Sequence, residues 1–340
     1  MGDEPSTKSR AWAHFDAIVA DAAPGGVHSN PWRRTASDEL AYVSDDATLR
    51  RLLEVPLLLR AATTTGVPAL ALDVWLSYEL RRAGFDADAV WPRPSAPRVL
   101  PASIVSLLER VSAPERDALW KRLTSKTPPA GVAATNAVIL GKNYLKQVDV
   151  GMSGWATGPE LLISTKRMDS SFGKNAANRV EESYGDAKNL RLRHPLAALG
   201  FVYGLRSTIF QESPDTAEWL IDLLQKLGRE DDAYHAVALI VIEYGDDAAA
   251  PPEPDDPGDD DDRLAAAGLA SFEDGADQMR LVGVEDGLTE APDVCLRTDL
   301  VPSGLRPEAF LTEMITRVLD ATPVNFHREA RRRRREAPPA

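Results

Sequence analysis

Two short stretches near the middle of the chain carry residues whose types could do chemistry together. Asp149 lies on one predicted β-strand, and Ser164-Thr165-Lys166 ends the next strand after fourteen intervening residues. A predicted helix follows and carries Glu181 and Glu182, separated from Lys166 by fourteen and fifteen residues. Carboxylate oxygens are the ligands that hard divalent cations prefer. A lysine amine can orient a water molecule or accept its proton. The spacing therefore predicts an acid and lysine site on two adjacent strands.

This arrangement resembles the core of the PD-(D/E)xK nuclease superfamily. In that superfamily an Asp at the end of one strand and a (D/E)xK motif on the adjacent strand hold Mg²⁺ against the scissile phosphate, and the Lys stands beside the attacking water. Asp149 and Lys166 match these positions, and the strand order and the helix after the third strand match as well. The resemblance covers residues 136–243. It implies a Mg²⁺-dependent endodeoxyribonuclease that hydrolyses phosphodiester bonds.

Ser164 departs from this pattern because it occupies the place of the acidic residue, and a serine supplies no second carboxylate to Mg²⁺. A subgroup of restriction endonucleases, the NgoMIV-like enzymes, has (S/T)xK and takes a Glu from the following helix instead. The resemblance implies that a glutamate of the following helix is this ligand. We choose Glu181, with Glu182 as the alternative, because Glu181 borders the apolar face predicted for that helix, which consists of Ala176, Val180, Tyr184 and Ala187. A surface glutamate paired with Lys188 is the competing interpretation of Glu181.

Glu79 is a further catalytic candidate, on a helix predicted over residues 69–83. It falls at the centre of an apolar face that includes Leu72 and Trp75, and an unpaired buried carboxylate needs a cation or a donor. In many PD-(D/E)xK nucleases a Glu from the helix before the first core strand approaches the active site, and the resemblance implies this role for Glu79. The alternative is a buried ion pair with a nearby arginine, Arg81, Arg82 or Arg98.

Basic residues around the predicted site are suited to phosphate contacts that position double-stranded DNA without reading its sequence. These residues are Arg167, Lys174, Arg179, Lys188, Arg191 and Arg193. The most specific prediction is a type II restriction endonuclease. Because such an enzyme cuts both strands, a homo-oligomer, either a dimer or a tetramer, is also expected.

Charge is distributed unevenly along the chain. The sequence has 39 Lys and Arg against 52 Asp and Glu, a net charge of −13, which taken alone argues against a nucleic-acid partner. Nine of the acidic residues lie within 246–262, where there is no basic residue. We interpret this run as a disordered insertion, or alternatively as a DNA mimic that covers a basic groove. The arginine-rich end, from Arg328 onward, is expected to be a solvated arm that adds salt-dependent affinity for DNA.

The fold class predicted is α/β: a restriction-endonuclease-like mixed β-sheet core flanked by helices, with a helical N-terminal region. Apolar spacing predicts N-terminal helices over 9–23, 46–63, 69–83, 102–111 and 114–123. Strands are predicted over 136–140, 144–150, 160–165, 197–205 and 236–244. Helices at 175–190 and 214–228 separate the later strands, which favours a mixed sheet with helices on its faces. Segments 280–284 and 293–298 and a helix over 306–319 are expected to complete the fold.

Five regions follow from this pattern. Residues 1–130 are the mainly helical N-terminal region, 131–245 the catalytic core and 246–262 the acidic insertion. Residues 263–327 complete the fold, and 328–340 are the basic tail.

The composition excludes several classes of protein. Cys295 is the only cysteine among 340 residues, so neither a disulfide scaffold nor a thiolate metal site is possible. No apolar run approaches the ~18 residues that a membrane helix needs, and the first residues lack the pattern of a signal peptide, so a cytoplasmic location without membrane contact is expected. Three tryptophans, Trp75, Trp155 and Trp219, are predicted to be core residues rather than platforms for base stacking.

Two alternatives to a restriction enzyme remain open. One is a repair or phage-defence nuclease built on the same core. The other is a non-catalytic DNA-binding or regulatory protein, in which the acidic run recruits a partner. Metal-dependent cleavage would separate the enzymes from the binding protein.

Overall fold

The computed structural model describes residues 5–125, 128–129, 131–134, 136–229, 233–245 and 292–340. The acidic run and the predicted segment 280–284 lie outside these residues. The side chain of Lys174 is also outside the description, although its backbone belongs to a helix.

The N-terminal region is helical, as predicted. Ser6 and Asp45 begin the first two helices by accepting hydrogen bonds from the backbone of Ser9 and Thr48, which are the usual N-cap contacts. None of the helices in the described ranges is long and apolar enough to cross a bilayer. The helices are α1 (Thr7–Ala22), α2 (Asp46–Leu58), α3 (Val67–Arg82), α4 (Ala102–Arg110), α5 (Ala113–Leu123), α6 (Phe172–Arg191), α7 (Ile209–Glu212), α8 (Pro214–Leu227), α9 (Pro307–Ala321) and α10 (Arg328–Arg335).

Strands form one six-stranded sheet and two separate hairpins within the described residues. The strands are β1 (Trp32–Arg34), β2 (Leu40–Tyr42), β3 (Val90–Trp91), β4 (Ala137–Leu140), β5 (Leu145–Val148), β6 (Val150–Gly154), β7 (Gly158–Met168), β8 (Ala198–Arg206), β9 (Ala236–Glu243) and β10 (Cys295–Leu296). The large sheet has the order β10-β9-β8-β7-β6-β3. Its β7, β8 and β9 are parallel, while β6 and β10 pair antiparallel with their neighbours. The predicted α/β class with a mixed sheet is therefore confirmed.

Helices cover both faces of the sheet, so its central strands are buried on both sides. Leu161 and Ile163 of β7 point into a core formed with α1, α2, α3 and α9. Leu162 points the other way, into a second core formed with α6 and α8. All nine residues of β8 are buried, which is why the sequence shows continuous apolar runs here rather than alternation.

The first core joins regions that are far apart in the sequence. Its fully buried members include Phe15 of α1, Trp75 of α3, Val150 of β6 and Ile315 of α9. A smaller cluster around Leu100 and Leu108 lies under α4 and α5. One hydrophobic core therefore spans the N-terminal helices, the sheet and the C-terminal helices.

The expectation of a solvated arginine arm is wrong, because residues 328–335 form α10 and pack on the body of the protein. Arg331 donates to the carbonyl oxygens of Leu319 and Thr322, at the end of α9. Arg333 donates to the carbonyl oxygen of Arg82 at 2.7 Å. The arginines thus satisfy carbonyl groups that helix ends leave unpaired.

Gly84 permits the close approach of α10. Its φ is +100°, and a Cβ at this position would lie 2.8 Å from the backbone nitrogen of Ala330. Gly25 also has a positive φ, +63°, but a Cβ there would meet nothing within 4 Å. Alanine substitutions at these two glycines therefore distinguish the cost of backbone strain alone from the cost of strain together with a steric clash.

We expect Gly84→Ala to lower the free energy of unfolding by about 2–5 kcal/mol, since it combines a strained backbone with a clash. Gly25→Ala should cost only about 1–2 kcal/mol, because strain acts alone. Urea unfolding of both variants measures the difference. Equal losses would contradict close packing of α10 against Gly84.

Candidate active site

The structure brings Asp149 and the Ser164-Thr165-Lys166 stretch together. Asp149 is the single residue between β5 and β6, and β6 pairs antiparallel with β7, with Val150 opposite Ile163. At the end of this ladder, Asp149 Oδ2 accepts a hydrogen bond of 2.7 Å from the backbone nitrogen of Thr165. The predicted adjacency of the Asp strand and the Lys strand is therefore present.

Ser164 and Lys166 lie on the face of β7 that α6 covers. Both are largely buried, at 7% and 9% exposure. Lys166 stands opposite Tyr203 of β8. Burial raises the pKa of Tyr203 to about 12, and the charges of Arg179 and Lys166 oppose this shift. The charges of Arg179 of α6 and of Lys166 therefore both act on Tyr203, on the side of the sheet that α6 covers.

Thr165 points to the opposite face, where it meets a carboxylate that sequence reasoning missed. Its hydroxyl donates to Asp73 Oδ1 of α3 at 2.5 Å. Asp73 is only 8% exposed. Burial and the neighbouring charge of Asp149 raise the pKa of Asp73 well above its usual value, while Thr165, Lys8 and Lys166 oppose the shift. Asp73, Asp149 and Lys166 therefore form one electrostatically coupled group.

Glu79, the predicted catalytic residue of α3, lies elsewhere. Its Oε2 accepts from Arg82 at 2.7 Å and from the Tyr42 hydroxyl at 2.8 Å. Its Oε1 accepts from the backbone nitrogen of Asp45 at 2.7 Å. Burial raises the pKa of Glu79, and the charge of Arg82 opposes this. Glu79 is thus the buried ion-pair residue of the alternative interpretation, and Asp73 is the carboxylate that α3 brings to the site.

The choice of Glu181 over Glu182 is also corrected. The buried face of α6 includes Val180, Ser183 and Ala187, whereas Tyr184, which the prediction placed on that face, is 37% exposed. At about 100° per residue this turns Glu182 to the border of the buried face and Glu181 to the opposite side. Both glutamates are exposed, but Glu182 contributes with Asp149 to the environment of Tyr234.

A buried polar group beneath Ser164 fixes its position. The Tyr234 hydroxyl shares a hydrogen bond with Ser164 and donates to the carbonyl oxygen of Ser183 at 3.0 Å. Burial and the charge of Asp186 raise the pKa of Tyr234 well above its usual value. Asp186 in turn forms a 2.8 Å ion pair with Lys146 of β5, and both side chains are buried. This network joins the β4–β5 hairpin, α6 and β7.

The predicted basic strip is only partly available to DNA. Arg167 is 6% exposed and pairs with Asp169 at 3.0 Å, so burial removes it from the set. Arg191 lies 2.5 Å from Nε2 of His235, whose pKa burial and Arg191 lower to about 4. Lys188 and Arg193 are exposed, and Arg179 is half-buried. The side chain of Lys174 lies outside the described residues.

The carboxylates present fit a Mg²⁺ ion that needs further ligands from its substrate. No three His, Cys, Asp or Glu side chains in the described ranges are grouped to hold a metal by themselves. Mg²⁺ is usually bound through one or two carboxylates together with waters and substrate phosphates, and Asp73 and Asp149 supply that number. A divalent cation would offset the charge of Asp149 that raises the pKa of Asp73, and would favour the ionised form of Asp73.

Comparisons with known proteins do not add to this picture. No protein-family model, no curated protein and no solved structure matches the chain.

We expect Asp73→Asn to stabilise the protein at pH 7.5 without divalent cations, by on the order of 1 kcal/mol or more, because it removes a buried charge beside Asp149. The pKa of Asp73 is higher in the folded state, so folding takes up a proton and stability rises as pH falls toward the unfolded value of about 3.9. The advantage of Asp73→Asn should therefore shrink at pH 5.

Urea unfolding at the two pH values measures this effect. Asp117→Asn, at an exposed aspartate of α5, is the matched control and should change stability little at either pH. If Asp73→Asn were equally destabilising at both pH values, Asp73 would be a structural hydrogen-bond acceptor without electrostatic coupling.

Proposed function

We propose that the chain is a Mg²⁺-dependent DNA endonuclease. The observation that carries this proposal is the contact of Asp149 with the backbone nitrogen of Thr165, the central residue of the Ser164-Thr165-Lys166 stretch. Because of this contact, the Asp149 carboxylate lies beside the strand that carries Lys166. The resemblance to PD-(D/E)xK nucleases implies this adjacency of the Asp and the Lys strand. Asp73, at the hydroxyl of the same threonine, adds the carboxylate that Ser164 does not supply.

Each side chain then has a distinct part in hydrolysis. Asp149 and Asp73 would hold Mg²⁺, which when bound supplies positive charge against the attacking and leaving oxygens of the phosphodiester. Lys166 would orient the attacking water, or as the neutral amine accept its proton, while the water oxygen bonds to phosphorus and the bond from phosphorus to the leaving oxygen breaks. Ser164 is a positioning residue, because its hydroxyl is engaged by Tyr234. Glu182, on the border of α6, is the additional carboxylate on this face of the sheet.

The more specific proposal is a type II restriction endonuclease that acts as a homodimer or homotetramer on double-stranded DNA. Lys188 and Arg193 are the exposed basic residues of the strip that would contact phosphates. A long unmethylated duplex incubated with and without Mg²⁺ tests this. Discrete Mg²⁺-dependent fragments support a site-specific enzyme, and cleavage of branched or gapped DNA alone supports a repair or phage-defence nuclease. Metal-independent binding without cleavage supports a non-catalytic protein.

Lys166→Ala should reduce the cleavage rate by about 10²- to 10⁴-fold, the usual contribution of a positioned acid or base. DNA affinity in EDTA should change little, because Lys166 is buried. Lys226→Ala, at an exposed lysine of α8 paired with Asp222, is the control and should cleave normally. Normal turnover by Lys166→Ala would remove this lysine from the mechanism.

The two glutamates of α6 offer a matched pair of variants. Glu182→Gln should slow cleavage by about 10- to 100-fold, as is usual when a residue near a metal ligand is changed. Glu181→Gln should have no effect, because its side chain is on the opposite side of the helix. Cleavage rates at several Mg²⁺ concentrations distinguish the two, and the reverse ranking would contradict the observed orientation of α6.

A further inference from the structure

The β6–β7 hairpin ends in an indole that the described part of the chain leaves uncovered. Trp155 is fully exposed and Trp219 is 43% exposed, so the prediction that they are core residues is wrong, whereas Trp75 is fully buried as predicted. The turn itself is ordered by hydrogen bonds, since the Thr157 hydroxyl donates to Glu160 and to the carbonyl oxygen of Gly158. An exposed tryptophan on an ordered turn loses little conformational entropy when it binds a ligand.

A chain of contacts connects this turn to α10. A Cβ at Gly154 would lie 3.5 Å from Oε1 of Glu160, and Oε2 of Glu160 lies 2.6 Å from Nε2 of His327. Trp155 follows Gly154 directly, and Arg328, the first residue of α10, follows His327 directly. The turn that carries Trp155 and the start of α10 are therefore connected through Glu160 and His327.

The outer face of α10 is positively charged. Ala330 marks the buried face of the helix, and Arg328, Arg332 and Arg335 are exposed. Arg332 pairs with Glu329 and Glu336. Arg328 and Arg335 make no ion pair with any acidic residue in the described part of the chain. Two cations are thus available to a ligand beside the indole.

We propose that Trp155 and the outer face of α10 bind an unpaired nucleotide of DNA, with the indole stacked on its base and Arg328 and Arg335 on the flanking phosphates. Aromatic stacking together with arginine contacts is the usual way in which proteins hold single-stranded nucleic acid, because every base has a π face. Bases inside a duplex are already stacked on each other, so the free face belongs to an unpaired base. This rests on the proposed nuclease function in that the ligand is its DNA substrate.

The position of this surface defines a substrate geometry. Ser164 lies six residues beyond Gly158 along β7, a distance of about 20 Å at the usual rise of a strand. The phosphodiester bond presented to the catalytic end of β7 would therefore lie several nucleotides away from the base held at Trp155. Among the candidate functions, this surface favours a nuclease that acts on DNA with an unpaired segment, such as an overhang, gap or flap, over a restriction enzyme that cuts intact duplex.

Binding of a fluorescently labelled single-stranded oligonucleotide, and of its blunt duplex, is measured by anisotropy in EDTA over a series of salt concentrations. EDTA separates binding from cleavage, so the affinity does not depend on an active metal site. Trp155→Ala should weaken binding of the single strand about 5- to 100-fold, the range expected for loss of one stacked base. Trp155→Phe should keep most of the affinity, and Trp219→Ala, a partly exposed tryptophan of α8, should behave as the wild type.

The arginine contacts are tested by the double variant Arg328→Ser/Arg335→Ser. It should reduce the dependence of log affinity on log salt by about 1.4, because ~0.7 is expected for each phosphate contact of a single strand. Arg116→Ser/Arg122→Ser, which removes two exposed arginines of α5, is the matched control and should leave this dependence unchanged.

The outcomes separate this proposal from the proposed function. It is overturned if Trp155→Ala binds as the wild type, if Trp155→Phe is as weak as Trp155→Ala, or if the blunt duplex binds as tightly as the single strand. Loss of binding in the matched controls as well would equally overturn it. If the pattern is as expected but the wild type cuts no DNA with Mg²⁺, the binding surface stands and the nuclease function fails.

Discussion

Thr165 holds two carboxylates at once, and the arrangement of the candidate site depends on this. Its backbone nitrogen donates to Asp149 and its hydroxyl donates to Asp73. These carboxylates come from the residue between β5 and β6 and from α3, and are separated by more than seventy residues. Because both donors belong to one residue of a strand that is buried on both faces, the sheet limits the motion of the two carboxylates. The charge of Asp149 raises the pKa of Asp73, so keeping both carboxylates ionised costs free energy.

The two faces of β7 contribute different residues to the candidate site. The face toward α3 supplies Asp73, and the face toward α6 supplies Ser164 and Lys166. The buried pair of Lys146 and Asp186, with Tyr234, fixes α6 against the strand that carries these residues. The charged residues of the candidate site therefore pack against a buried ion pair and a buried hydrogen bond, which limit their motion.

The sequence could predict the proximity of Asp149 and Lys166, because strand patterns and a short connection make two strands neighbours. It could not distinguish Asp73 from Glu79, since α3 is buried nearly all round and no single apolar face exists to choose between them. The preference for Glu181 over Glu182 is wrong because Tyr184, which fits the apolar spacing of α6, is exposed. The prediction that Arg167 contacts phosphates is wrong because the strand predicted over 160–165 continues to Met168 and buries this arginine. In each case the missing information is a tertiary contact.

Ala330 belongs to the same hydrophobic core as Phe15 and Trp75. Contacts between residues separated by more than three hundred positions close slowly, because a long loop must lose its entropy before these contacts contribute. During synthesis, the first core therefore stays incomplete until residue 330 has left the ribosome. Part of the apolar surface of the N-terminal helices therefore stays exposed until α10 has been synthesised. This part of the nascent chain is the one that a chaperone would need to protect.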